Sequence, residues 1–157
     1  MIRLAAHTMT ANPPMGATVL VCEREAHVRM PAVAEGVPAA RHAVAELCRH
    51  LGLSRGRTAD VELAVTEACA NAVVHAYIEP TAAPRLVEVD AELQGRRLVV
   101  VVRDYGRGIS PRSDSPGLGL GLPLIAHVAD ELEFRSKPEE GATELVMSFE
   151  VRHLVVV

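Results

Sequence analysis

The stretch Glu67-Ala-Cys-Ala-Asn71 puts a carboxylate and an amide four residues apart in an apolar run. On a helix, that spacing sends both side chains from the same face. A carboxylate so placed can act as a general base, and a neutral amide oxygen can coordinate Mg2+ without adding charge. His75 follows one turn later. The exposed polar edge of an amphipathic helix would read the same way. Further on, Asp104-Tyr-Gly106-Arg-Gly108 follows an apolar run at 98–102. A carboxylate at a strand's end can accept a hydrogen bond from an exocyclic amine such as that of adenine. Gly106 and Gly108 let a flat ring approach the backbone. A plain Asp/Gly turn is the alternative. A third piece, Gly117-Leu-Gly119-Leu120-Gly121, leads into a helical pattern. A glycine-rich loop before a helix start presents N–H groups to an anion, with the helix dipole behind them. It lacks the Gly-Lys-Ser/Thr of a Walker A loop and the preceding strand of a Rossmann fingerprint. A ligand-free hinge would also suit it. Thr143 can hydrogen-bond near a ligand or simply open a strand. Arg107 and Arg112 can reach phosphate or stay solvated. Singly, each piece is ordinary. In this order, from Glu67 to Gly121, they describe a nucleotide pocket.

These residues need elements to hold them. Val37, Ala40, Val44, Leu47 and Leu51 recur at helical spacing, predicting a helix over about 38–51. A second helix runs from 54–58 to Ala76 on a stripe of Val61, Val65, Ala68, Ala72 and Ala76. A strand is expected within Val19–Met30, interrupted by Glu23, Arg24 and Glu25, with a loop over 31–36. Leu86–Leu93 alternates as a half-buried strand, Gln94-Gly95 turns, and the fully apolar run Leu98–Val102 reads as a central strand. A loop covers 104–118 and a third helix 121–130, with Pro123 in its first turn. Leu132–Ser136 and Thr143–Val151 are two more strands around a loop at 137–141. The order is strand, two helices, hairpin, helix, hairpin. That is an α+β fold: a two-layer α/β sandwich, a mixed, mostly antiparallel sheet with helices on one face. Residues 1–17 form a breaker-rich flexible tail and 18–157 a single domain.

Bulk properties narrow the function. Only 3% of residues are aromatic, so Val, Leu and Ala must fill the core. A net charge of −4 speaks against a nucleic-acid surface, which needs a basic face. It leaves a nucleotide ligand open, since helix ends and a metal can hold phosphate. Cys22, Cys48 and Cys69 have no pairing pattern, as expected of reduced thiols in a cytoplasmic protein. Cys69 reads as a small core residue. His7, His27, His42, His50, His127 and His153 show no metal-ligand spacing. No run reaches the roughly 18 apolar residues of a membrane span, and the N-terminus lacks a signal peptide's apolar stretch.

With these motifs in hand, the chain resembles the GHKL ATPase superfamily, and within it the stand-alone anti-sigma factor serine/threonine kinases of the RsbW and SpoIIAB type. The resemblance spans residues 26–151. The segment 66–77 is similar to the family's N box, 102–109 to its G1 box, and 117–125 with Ala129-Asp130-Glu131 to its G2 box and following helix. It implies a Bergerat fold with ATP under a lid at 109–118. By position, Glu67 would be the catalytic base and Asn71 the Mg2+ ligand. Asp104 would accept from the adenine amine. Gly106, Gly108, Gly117, Gly119, Leu120, Gly121 and Thr143 would line the pocket. The implied partners are a sigma factor and an anti-anti-sigma (STAS-type) protein phosphorylated on a hydroxyl, and the implied assembly is a homodimer. Two other functions fit less of the sequence. One is a nucleotide-binding sequestration module without phosphotransfer, for which Glu67 would be superfluous. The other is the catalytic piece of a histidine kinase, which would have to act in trans.

Overall fold

A computed structural model describes residues 16–76, 85–106 and 121–152, except the His75 side chain. Six strands form one sheet in the order β1-β2-β3-β4-β6-β5, every neighbouring pair antiparallel. The strands are β1 (Thr18–Val21), β2 (Glu25–Pro31), β3 (Leu86–Gln94), β4 (Arg97–Asp104), β5 (Glu131–Lys137) and β6 (Ala142–Glu150). The helices are α1 (Val37–His50), α2 (Arg55–His75) and α3 (Gly121–Val128). α1 packs on β1 and β2, α2 on β3, β4 and β6, and α3 mainly on α2. Two layers result, with the aliphatic core between them.

The strands follow the period-2 rule. On β3, Val87, Val89, Ala91 and Leu93 are buried while Glu88, Asp90 and Glu92 are not. On β4, Leu98, Val100, Val102 and Asp104 face the helices. Val99 and Val101 point to the outer face and are only half-buried. β4 is therefore central in the sheet, as its apolar run predicts, and is covered by helices on one side.

The single interrupted strand expected at 19–30 is instead the hairpin β1–β2. Glu23, Arg24 and Glu25 do not break a strand. Glu23 and Arg24 make its turn, closed by Cys22 N donating to Glu25 O at 2.7 Å. The loop expected at 31–36 holds one 3-10 turn, Ala34–Gly36, and that at 137–141 another, Pro138–Glu140. β4 extends to Asp104, so this carboxylate ends a strand and does not begin a loop.

α2 starts where Ser54 Oγ accepts from Arg57 N at 3.2 Å, an N-cap that satisfies one orphan donor. Val61, Ala64, Val65, Ala68, Ala72 and Ala76 form its buried stripe. Small residues dominate that stripe, so the helix lies close to the sheet. α3 ends at Val128, two residues before the expected end, because Asp130 N already donates to Ser148 O of β6 at 2.9 Å.

Cys48 and Cys69 are buried, and burial pushes both thiols up to about 12. A thiol needs its thiolate to react. Cys22 is half-exposed. In native protein at pH 8, a disulfide reagent should titrate Cys22 quickly and the other two only after unfolding. Fast labelling of Cys69 in folded protein would contradict this packing.

Candidate active site

α2 carries Glu67 and Asn71 one turn apart on one face. Asn71 is buried at 6% exposure, and Glu67 is half-buried. α3 then begins directly against them. A Cβ placed on Gly121 would stand 3.2 Å from Glu67 Oε2 and 3.2 Å from Asn71 Nδ2. The first residue of α3 therefore has to be small for the helix start to sit this near a carboxylate and an amide. Among the described residues, Asn71 Nδ2 is the one buried side-chain polar atom without a hydrogen-bond partner. Leaving such a group unmet costs about 1–3 kcal/mol, so an orphan of this kind calls for an explanation.

The sheet supplies a second set. Asp104 and Thr143 are cross-strand partners at the ends of β4 and β6, both on the face that carries the helices. Asp104 is buried at 2% exposure, and its Oδ1 accepts from Gly106 N at 3.1 Å. That bond turns the chain immediately after the strand. Gly106 then passes under the end of α2, where an added Cβ would lie 2.0 Å from Ala76 O. No other residue fits there, so strand end and helix end are pressed together at this corner. Gly108, Gly117, Gly119, Leu120, Arg107, Arg112 and the expected lid lie outside the described residues.

The outer face carries residues that sequence reading missed. Arg103 and Glu144 sit directly behind Asp104 and Thr143, one position along each strand and on the opposite side. Arg103 donates to Glu144 Oε1 from Nε at 2.8 Å and from Nη2 at 2.6 Å, and to Glu88 Oε2 from Nη1 at 3.2 Å. Lys137 Nζ is 3.2 Å from Glu144, and Tyr105 Oη donates to Glu88 at 2.7 Å. This network ties β3, β4 and β6 together behind Asp104 and Thr143. Burial pushes the Glu144 carboxyl up, but the hydrogen bonds and charges of Arg103 and Lys137 outweigh it and hold the group below its ordinary value. Glu88 is lowered in the same way: burial opposes, and Tyr105, Arg103 and Arg29 prevail. Single charged residues alternating along strands gave no signal of this. Only the register reveals it.

Comparison with known proteins gives the family. Residues 30–149 match the histidine kinase-like ATPase domain, and the chain belongs to that family. An anti-sigma F factor from Pasteuria penetrans is 30% identical over 113 residues, covering 65% of this chain and 75% of the relative. The serine-protein kinase RsbW of Bacillus thuringiensis is 30% identical over 143 residues, covering 82% and 86%. An anti-sigma F factor from Anoxybacillus flavithermus is 25% identical over 130 residues, covering 76% and 88%. Within its family, the chain thus stands with the anti-sigma kinases.

A carboxyl whose value is depressed by folding contributes stability that is complete above its ordinary value of 4.5 and is lost as pH falls through the folded value. Glu144→Gln should therefore lower the urea midpoint at neutral pH, with the gap to wild type closing as pH falls below about 4.5. A gap unchanged by that fall would remove the ion pair from the sheet's stability.

Proposed function

We propose that this chain is an ATP-dependent serine/threonine protein kinase acting as an anti-sigma regulator, which binds a sigma factor and phosphorylates an anti-anti-sigma (STAS-type) partner. One observation carries the reading. Glu67 and the unpartnered Asn71 amide converge on the first residue of α3, where a side chain on Gly121 would intrude. Such a spot sets a carboxylate, an amide with a free Nδ2 donor and the first residue of a helix around one small space. The relatives' names, anti-sigma F factor and serine-protein kinase, supply the class of partner.

ATP with Mg2+, when bound, supplies the transferable phosphoryl group and the charge that offsets its oxygens. The residues present fit that pair. Asp104, beside Thr143, offers a carboxylate to the adenine amine. Asn71 would offer its Oδ1 to the cation, which leaves the unpartnered Nδ2 free to donate to a phosphate oxygen. Among the described residues no three His, Cys, Asp or Glu cluster to hold a metal, so phosphate and water would complete its shell. The first N–H groups of α3 would hold the phosphates, with the dipole behind them. Glu67 takes the proton of the attacking serine or threonine hydroxyl. The new bond joins that oxygen to the γ-phosphorus as the bond to the β-bridging oxygen breaks, and ADP leaves. Most of the protein's contribution is positioning and charge. The same reading makes the working form a cytoplasmic homodimer.

Glu67→Ala should abolish transfer of labelled phosphate to the partner, with nucleotide affinity changed less than about threefold, because a base acts in the transition state. Wild-type protein that binds ATP and partner yet transfers nothing would favour sequestration without chemistry. Asp104→Asn should weaken ATP binding at least tenfold by calorimetry, about the value of one charge-assisted hydrogen bond. Unchanged affinity would take Asp104 out of the adenine site.

A further inference from the structure

α3 has eight residues, of which only Gly121 and Ile125 are buried. A helix this short does not hold itself in place, and tertiary contacts must fix it. Its first residue stands against Glu67 and Asn71. Its other end is held by one side chain of α2. Arg57 Nη1 donates to Val128 O, the last carbonyl of α3, at 2.9 Å. Arg57 Nη2 donates to Asp130 Oδ2, which also accepts from Glu150 N. The guanidinium lies over the Phe149 ring of β6, 5.2 Å from its centre, and Asp60 is 3.5 Å away. A forked cation at the negative end of a helix, stacked on a buried ring, is anchored from three sides.

We propose that Arg57 is a positioning residue for the phosphate end of the nucleotide site. Arg57 and Glu67 are ten positions apart on one rigid helix, about 15 Å along its axis. Arg57 holds the far end of α3 while Glu67 and Asn71 meet its near end. The two contacts together set where the first N–H groups of α3 stand relative to the base and the amide. The adenine end, on that reading, is carried by Asp104 and Thr143 on β4 and β6. This inference rests on the nucleotide reading above and adds a division to it: loosening the clasp acts on phosphates and spares adenine.

The test measures ATP and adenosine affinities by calorimetry for wild type, Arg57→Gln, Arg57→Lys and Asp130→Asn, with circular dichroism to confirm folding. Amide hydrogen exchange of the nucleotide-free proteins reports on residues 121–128. Arg57→Gln should weaken ATP about tenfold, the effect of losing one charge-assisted bond, and leave adenosine within about twofold. Exchange in α3 should quicken several-fold relative to β4. Arg57→Lys, which keeps the charge but loses the fork, should fall between wild type and Gln. Asp130→Asn serves if Arg57→Gln does not fold, and should show the same split. If the variants fold and wild type binds ATP, an unchanged ratio of ATP to adenosine affinity overturns the assignment and leaves the nucleotide reading standing. Wild-type protein that binds neither ligand overturns both.

Discussion

The close seating of α2 on the sheet is the constraint from which the rest follows. Its buried stripe is mostly alanine, with Val61 and Val65 nearer the start. Alanine leaves little between helix and strand, so Gly106 can pass against Ala76 with no room for a side chain. Were the stripe bulkier, helix and strand end would move apart, and Glu67, Asn71 and Asp104 would no longer share a corner. Interiors are packed densely enough that even a methyl group would be felt here. The scarcity of aromatic residues belongs to the same solution, because the core is thin where the site is built.

The sheet solves a second problem with its alternation. At the ends of β4 and β6, two successive residues on each strand serve opposite faces. Asp104 and Thr143 face the helices, while Arg103 and Glu144 face outward and pair with each other. A carboxylate that must stay at a fixed depth in a cleft benefits from a floor whose register cannot slip, because a one-residue shift would exchange the two faces. The ion pair behind it opposes such a slip. Its partners are largely buried and multiply hydrogen-bonded, the condition under which an ion pair has more than marginal weight.

α3 joins these two parts. It is too short to be stable alone and carries little buried surface, so its pose is decided by what holds its ends. One end meets the polar pair of α2, and the other meets Arg57. The long helix thereby acts as a ruler for the short one, and a residue far from any chemistry gains influence over it.

Much of this was legible in the chain. The period of 3.6 in α1 and α2 and the alternation in β3 were enough to place the fold, and the three polar and glycine-rich pieces in order singled out Glu67, Asn71, Asp104 and Gly121, of which the structure brings Glu67, Asn71 and Gly121 together. Local signals suffice where a residue's role depends on neighbours within a turn or a strand. The N-terminal hairpin was not legible, because Glu23, Arg24 and Glu25 look alike as a break in a strand and as a turn between two. Neither was the outer-face network or the Arg57 clasp. Arg103 and Glu144 lie 41 residues apart, and Arg57 and Asp130 lie 73 apart. The sequence by itself determined which residue types were available for chemistry and on which face of each element they stand. Only the tertiary structure decided which of the many charged residues would meet, since that depends on strand register and on how closely a helix can approach a sheet, and neither distance is written in any local stretch of chain.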